Sequence, residues 1–243
     1  LAVTRVFGPV HAKLLYAEAF RTPGFGNLAL ATDIQAEKTR VAEAEVGYRF
    51  DDRFSASANV FQIAIDRPII YMSDPETNRE GYFNGAQTGS RGVEVDARLF
   101  LLGGWWTAGY AFYAPAGLNE VDDYTVPGRS EVLRAFPRHK LTLSGRLPFG
   151  PVRLAPSLVV TSARFAELRG DADGTPVLGD AGPLVELALN ATWRDAIAKG
   201  VDLALGLHNA LDRRNAFLHP YPGHAPVPGP RREVTFQVAW NGR

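Results

Sequence analysis

Apolar and polar residues alternate along this chain in short runs with a period of two. Ala42, Ala44, Val46, Tyr48 and Phe50 interleave with Val41, Glu43, Glu45, Gly47 and Arg49. Val93, Val95, Ala97, Leu99 and Leu101 are set against Glu94, Asp96, Arg98 and Phe100, and Leu141, Leu143 and Leu147 against Lys140, Thr142, Ser144 and Arg146. Further on, Val201, Leu203, Leu205 and Leu207 oppose Asp202, Ala204 and His208, and Val234, Phe236, Val238 and Trp240 oppose Glu233, Thr235 and Gln237. Successive side chains of a strand point to opposite faces, so this period predicts strands with one apolar and one polar face. A helix would scatter the same residues around its circumference.

Ten strands are predicted, near residues 11–19, 37–50, 53–66, 81–101, 104–114, 139–147, 152–165, 184–194, 200–208 and 231–240. Tight connections fall at Asp51-Asp52, Leu102-Gly103-Gly104, Pro148-Phe149-Gly150-Pro151 and Asp195 to Lys199, and long ones at 20–36, 67–80, 115–138, 166–183 and 209–230. Tight and long connections alternate, which puts every long loop on one side of an antiparallel up-and-down sheet. Short turns at one rim and long loops at the other are the pattern of a transmembrane β-barrel. Tyr48, Phe50, Trp106, Trp193 and Trp240, on apolar faces near strand ends, suit its interfacial aromatic girdle. A soluble β-sandwich or lipocalin-like barrel also alternates apolar with polar, but a soluble meander seldom places all its long loops on one side.

Two irregularities mark the pattern. Most of the 17 prolines fall in connections, as a residue without an N–H must, but Pro156 lies inside a strand, where a bulge or a misplaced boundary is expected. In the third strand Phe54, Ala56, Ala58 and Val60 share one face whereas Phe61, Ile63 and Ile65 share the other, which predicts a bulge near Val60.

Composition narrows the classes. A chain of 243 residues fits one large β domain or most of two smaller ones, with no cysteine for disulfides or thiolate metal sites. Balanced charge, 26 basic against 26 acidic side chains, gives no electrostatic argument for nucleic acid as a partner. No run approaches the roughly 18 apolar residues of a membrane helix, a test that barrel strands escape. The chain starts at Leu1 with no signal-peptide pattern, which reads as a fragment or a processed product.

Several ordered stretches resemble the barrel of TonB-dependent outer-membrane receptors. YAEAFRTPGFGNL from Tyr16 is similar to that family's aromatic, small, Phe-Arg-x-Pro segment, and QAEKTRVAEAEVGYRF from Gln35 to its acidic-Lys-Thr, Glu-x-Gly-Tyr strand. YFNGAQTGSRGVEVDARL from Tyr82 resembles the Asn, then Gly-x-Glu strand, and FPRHKLTLSGRL from Phe136 the Pro-x-His-Lys strand start. HNALDRRNAFLHPY from His208 and PGPRREVTFQVAW from Pro228 look like the penultimate Asn-Leu-Asp-Arg turn and the last strand, although here Trp240 is followed by Asn241, Gly242 and Arg243. The resemblance implies a ligand-gated active transporter whose whole barrel has about 22 strands around a plug. Residues 1–243 would be the C-terminal portion of that barrel, without plug or earlier strands. An open sheet of this kind exposes two ladder edges, which hydrocarbon penalises by several kcal/mol per unpaired group.

The implied function is uptake of a scarce ligand such as a ferric siderophore across the outer membrane of a Gram-negative bacterium. TonB would energise it through the missing plug, membrane lipid would surround it, and neither a cofactor nor a catalytic residue is expected. Loop residues Arg21, Tyr71, Tyr124, Arg129, Arg138, His219 and Tyr221 are the candidates for the outer binding surface, the basic groups suiting an anionic chelate. Arg21 has a second reading, as an anchor between a loop and the neighbouring wall. His219 and His224 share the last long loop without a strict ligand spacing, and Gly170-Asp171-Ala172-Asp173-Gly174 begins like a calcium loop but lacks its distal Glu. Two alternatives remain open: a self-closing small barrel enzyme using Asp122, Asp123 and His139 at its rim, and a soluble β-barrel binding protein.

Overall fold

In the computed structural model, which describes residues 1–31, 33–73, 80–115, 117–168, 177–220 and 225–242, the alternating segments pair in chain order into one antiparallel sheet. Its eleven strands are β1 (Ala2–Phe7), β2 (Val10–Arg21), β3 (Glu37–Arg49), β4 (Phe54–Asp66), β5 (Gln87–Leu101), β6 (Gly104–Ala114), β7 (His139–Phe149), β8 (Val152–Thr161), β9 (Val185–Trp193), β10 (Val201–His208) and β11 (Glu233–Trp240). Ten strands were predicted, and β1 is the addition. Its residues do not split cleanly into apolar and polar faces, yet it pairs with β2 from Ala2↔Leu15 to Phe7↔Val10 across a turn in which Gly8 takes a φ of 59°. Among the described residues no pairing joins β1 to β11, so the ladder has two edges.

The predicted strand 81–101 is in fact two elements. Glu80–Asn84 pairs with Ile69–Ser73 in a separate ribbon, and the sheet strand starts at Gln87. The side chain of Asn84 causes the break by binding neighbouring backbone: its amide donates to the carbonyls of Gln35 (3.0 Å) and Arg67 (2.9 Å) and accepts from the N–H of Gln35 (2.7 Å). Likewise 152–165 ends early, at Thr161, and Phe165–Leu168 turns away to pair with Val177–Asp180. The long loops therefore carry structure of their own. Two more ribbons, Thr125–Val126 with Arg129–Leu133 and Ala216–Phe217 with Val227–Pro228, and a short helix, Phe25–Leu30, occupy the other three.

Neither expected bulge exists. β4 keeps unbroken register with β3, from Lys38↔Asp66 to Arg49↔Ser55, and with β5, from Phe54↔Leu99 to Asp66↔Gln87. The apolar side chains change face because the surroundings change along the strand. Near the short turns Phe54, Ala56, Ala58 and Val60 point to the apolar side. Toward the long loops that side carries Gln62 and Asp66, and Phe61, Ile63 and Ile65 point inward under the loops. Pro156 sits within β8 opposite Leu189 of β9. Between β7 and β8 the pairing passes from Ser144↔Ser157 to Leu147↔Leu154 without a shift, so the missing N–H interrupts the ladder and adds no residue.

Among the described residues the apolar face has no second layer against it. Val46 is 54% exposed and Phe236 68%. Five of the seven buried apolar residues among those described, Ile69, Ile70, Val121, Val126 and Ala166, lie in the long loops. A soluble sandwich would cover this face with a second sheet. Aromatic rings cluster on it at the short-turn rim, where the Phe50 ring lies 4.4 Å from Tyr48 and 4.6 Å from Phe54.

Candidate functional site

The change of face in β4 creates a cavity of about 570 Å³ beneath the long loops. Its floor is the inward side of the sheet: Phe61, Ile63 and Ile65 from β4, Thr88, Gly89 and Ser90 from β5, and Tyr113 from β6, with Arg21 and Glu37 at the ends of β2 and β3. Its roof is Pro68 and Ile69, Tyr124, Leu133 and Phe136, and Pro220 from the last long loop. Pro220 shares the cavity with residues of β2 to β6, so the sheet curls enough for its last loop to meet its early strands. Gly89, opposite Ala64, permits the close approach of β5 to β4 beneath the cavity, since a Cβ there would fall 2.2 Å from the carbonyl oxygen of Ile63.

Polar side chains hold the roof in place. The Arg21 guanidinium donates to Glu37 (2.9 Å) and to the carbonyl of Ile69 (3.1 Å), and the N–H of Ile69 donates to the same Glu37 carboxylate (3.0 Å). The Thr88 hydroxyl donates to Asn119 (2.7 Å), whose amide donates to the Val121 carbonyl (3.0 Å). Arg134 donates from Nε to the Thr125 carbonyl (2.7 Å) and from Nη1 to Glu167 (3.2 Å), an ion pair with both side chains at most 15% exposed. Its own N–H donates to the Tyr124 carbonyl, which fixes Tyr124 over the cavity.

The last long loop is tied at its base by the turn from Asn209 to Arg213. Buried Asn209, at a φ of 44°, donates to the carbonyls of Arg213 (2.8 Å) and Pro230 (3.1 Å) and accepts from the N–H of Arg213 (3.0 Å). Asp212 accepts from the Arg231 side chain (2.9 Å) and the N–H of Arg232 (3.0 Å), and these bonds hold its carboxyl well below the ordinary carboxylate range.

Of the candidate residues named from sequence, Arg21 and Tyr124 come together at the cavity. Arg21 at the same time ties Ile69 to β3, which is the anchoring geometry of its second reading. Tyr71 sits on the 69–73 ribbon with its ring 5.1 Å from Tyr82. The Arg129 guanidinium lies 4.5 Å from the Phe165 ring, and that of Arg138 lies 5.5 Å from Phe112, on the opposite, apolar face. His219 is half-buried next to Pro220. Tyr221, His224 and the run 170–174 lie outside the described residues. His139, proposed as an acid or base, is on the apolar face, its Nδ1 2.8 Å from the Tyr110 hydroxyl, whereas Asp122 is exposed in the loop.

Sequence reasoning missed most of the lining: Phe61, Ile63, Ile65, Tyr113, Leu133 and Phe136. A signal for the first three was present in the change of face along β4. The cavity is lined mainly by rings and aliphatic groups, with hydroxyls on Thr88, Ser90, Tyr113 and Tyr124 and with the charge of Arg21 balanced by Glu37.

Comparison with known proteins bears on what this architecture is. The family model described as TonB dependent receptor-like, beta-barrel, matches residues 10–210. A search of the curated proteins found no match. Among solved structures, the FrpB iron transporter from Neisseria meningitidis superposes with a TM-score of 0.70 at 14% identity, over 98% of this chain and 38% of that one. The ferric enterobactin receptor PfeA from Pseudomonas aeruginosa, as a mutant, gives 0.71 at 15% identity, over 98% and 40%. The ferric-catecholate import receptor Fiu from K12 E. coli gives 0.67 at 17%, over 97% and 33%. The chain thus spans between a third and two fifths of these receptors, and identities this low establish the shared fold. With the family model covering most of its length, the chain belongs to the TonB-dependent receptor-like β-barrel family and is a protein of the outer membrane of Gram-negative bacteria.

Proposed function

We propose that residues 1–243 form the C-terminal part of the membrane-spanning barrel of a ligand-gated transporter, and that the cavity under the long loops is part of its outer binding surface. The observation that carries this reading is the pairing of an uncovered apolar face with an inward cavity roofed only by long loops. The first suits hydrocarbon and the second is open to the side from which a solute arrives. The ligand is a scarce metal chelate, with a ferric siderophore the leading class. Support comes from the names of the similar structures, an iron transporter, a ferric enterobactin receptor and a ferric-catecholate import receptor. Further strands would pair with the β1 and β11 edges, and TonB would supply energy through a plug domain within that completed barrel. Rings and aliphatic groups in the cavity would contact the organic part of the chelate, and no catalytic step is assigned to the chain.

The test is binding and uptake of radio-iron chelates by iron-starved cells expressing the complete receptor. Ile63→Trp, which fills the cavity from its floor, should abolish binding of the cognate chelate, and Val46→Leu on the apolar face should leave it unchanged. Undiminished binding by Ile63→Trp would remove the cavity from the binding surface. Failure of the wild-type receptor to bind catecholate and hydroxamate chelates would reject the ligand class.

A further inference from the structure

Among the described residues, the long loop between β8 and β9 gives the cavity no lining residue, yet its first segment is bonded to the groups that do line it. β8 ends at Thr161, and Phe165–Leu168 pairs with Val177–Asp180 in a ribbon where Ala166 is fully enclosed, at 0% exposed. Three contacts join this ribbon to the loop between β6 and β7. Glu167 accepts from Arg134 (3.2 Å), the Phe165 carbonyl accepts from the Ala135 N–H (2.6 Å), and the Arg129 guanidinium lies 4.5 Å from the Phe165 ring. Arg134 and Ala135 stand between Leu133 and Phe136, two groups of the roof. A third, Tyr124, is held through its carbonyl by the Arg134 N–H (2.8 Å), and the Arg134 side chain also binds the Thr125 carbonyl (2.7 Å). The same segment reaches the floor, where Arg164 comes within electrostatic range of Tyr113.

Two of these contacts depend on each other. Ala135 has a φ of 62°, a left-handed conformation unfavourable for a residue with a Cβ, which persists where the bonds around it leave no alternative. The Arg134 and Glu167 side chains are 12% and 15% exposed, so removing the carboxylate strands a cation away from water. The guanidinium then has to move outward to be rehydrated, and Leu133, Phe136 and Tyr124 are coupled to that movement through the backbone and the Tyr124 carbonyl. The other part of the roof, at Ile69, has its own anchor in Glu37 and Arg21.

We propose that Glu167 is a positioning residue for ligand binding. It fixes Arg134, and through Arg134 the roof groups Tyr124, Leu133 and Phe136, so that a loop contributing no wall sets the affinity of the cavity. This inference rests on the reading of the cavity as part of the binding surface.

The complete receptor in detergent is followed without ligand by hydrogen–deuterium exchange and is titrated with ferric enterobactin and ferrioxamine B as the catecholate and hydroxamate probes. In Glu167→Ala the Arg134 and Ala135 amides should exchange about tenfold faster or more, while the separately anchored Ile69 amide keeps its wild-type rate. With the roof in place about a tenth of the time, the probe that wild type binds should bind about tenfold more weakly. Ala135→Pro, which removes the N–H bonded to Phe165 and forbids the left-handed φ, should act in the same direction. The double variant Arg134→Gln with Glu167→Gln should lose no more affinity than Arg134→Gln alone, whereas independent roles would multiply the two losses. Heat-modifiable mobility identifies the folded variants, and the Gln variants suffice if Glu167→Ala does not fold. Wild-type exchange at Arg134 and Ala135 in the Glu167 variants overturns the proposal whatever the probes do, and where neither probe binds, exchange alone decides. Unchanged affinity in Glu167→Ala overturns it when Ile63→Trp abolishes binding, as does multiplication of the two losses. Undiminished binding by Ile63→Trp instead identifies failure of the cavity reading, and the effect on affinity falls with it.

Discussion

Replacing Asn209 by alanine should open the base of the last long loop while leaving the sheet intact. The native side chain makes three hydrogen bonds, to the carbonyls of Arg213 and Pro230 and from the N–H of Arg213, in a residue only 5% exposed. At about 1 kcal/mol each, their loss removes about 3 kcal/mol. The backbone adds a further contribution, because φ at this position is 44°, and a residue other than glycine or asparagine pays about 1 kcal/mol there. The expected local cost is therefore about 4 kcal/mol for Asn209→Ala and about 3 kcal/mol for Asn209→Gly, which escapes the backbone cost. Hydrogen–deuterium exchange of the complete receptor in detergent reads this directly. The Arg213 amide should exchange roughly a thousandfold faster in Asn209→Ala and about fivefold less fast than that in Asn209→Gly, while amides of β10 stay protected. If the Arg213 amide in Asn209→Ala exchanged within tenfold of wild type, the hydrogen-bonded corner would not be what holds the loop. If the two variants behaved alike, the left-handed backbone would carry no cost.

Three further outcomes follow from the geometry. Glu37→Ala should loosen the 69–73 ribbon more than Arg21→Ala does, by about 1–2 kcal/mol against less than 1, because Glu37 satisfies both the Ile69 N–H and Arg21 whereas Arg21 is more than half exposed. Limited proteolysis in residues 67–73 checks the order, and equal cleavage of the two variants would contradict it. Asp212 has its folded pKa depressed by hydrogen bonds from Arg231 and Arg232, so its contribution is fully present above the ordinary carboxylate value and is lost as pH falls below it. Exchange protection at residues 209–213 should be flat from about pH 7 to 5 and fall only below about pH 4, with Asp212→Asn showing no such fall. Gly145→Leu should be poorly tolerated, since even a Cβ there would lie 2.9 Å from the Trp106 ring. A loss of about 1–3 kcal/mol with altered tryptophan fluorescence is expected, against which an unchanged unfolding midpoint would count.

The strands were legible wherever one face meets an apolar phase and the other water, because that contrast writes itself as a period of two. β3, the second half of β5, β7, β10 and β11 follow it over their length, and their connections could be placed from proline, glycine and aspartate. β1 was invisible because its residues do not divide by polarity, and only its pairing with β2 makes it a strand. The face change in β4 is legible in the sequence, but its cause is not. A sequence reports that polarity has switched sides, but a slipped ladder and a changed environment give the same string, and only the unbroken register separates them. The loop ribbons had no periodic signature because their pairs are short and the contacts that hold them join residues far apart in sequence, Asn84 with Gln35, Ile69 with Glu37 and Arg134 with Glu167.

The candidate site divides in the same way. Family resemblance pointed to the loops, and Arg21 and Tyr124 do line the cavity. Charge alone could not say which cations face it: Arg129 and Arg138 look equivalent in the sequence, yet one lies over Phe165 and the other over Phe112 on the far side of the sheet. Alternation along each strand thus determined the class of fold, the two faces and the side on which the loops emerge, because these depend only on neighbours two residues apart. Tertiary structure decided the register, the curl that brings Pro220 over β4, and which rings share a cavity. Those depend on residues that share one cavity although as much as 199 apart, counting from Arg21 to Pro220, for which the one-dimensional pattern holds no record.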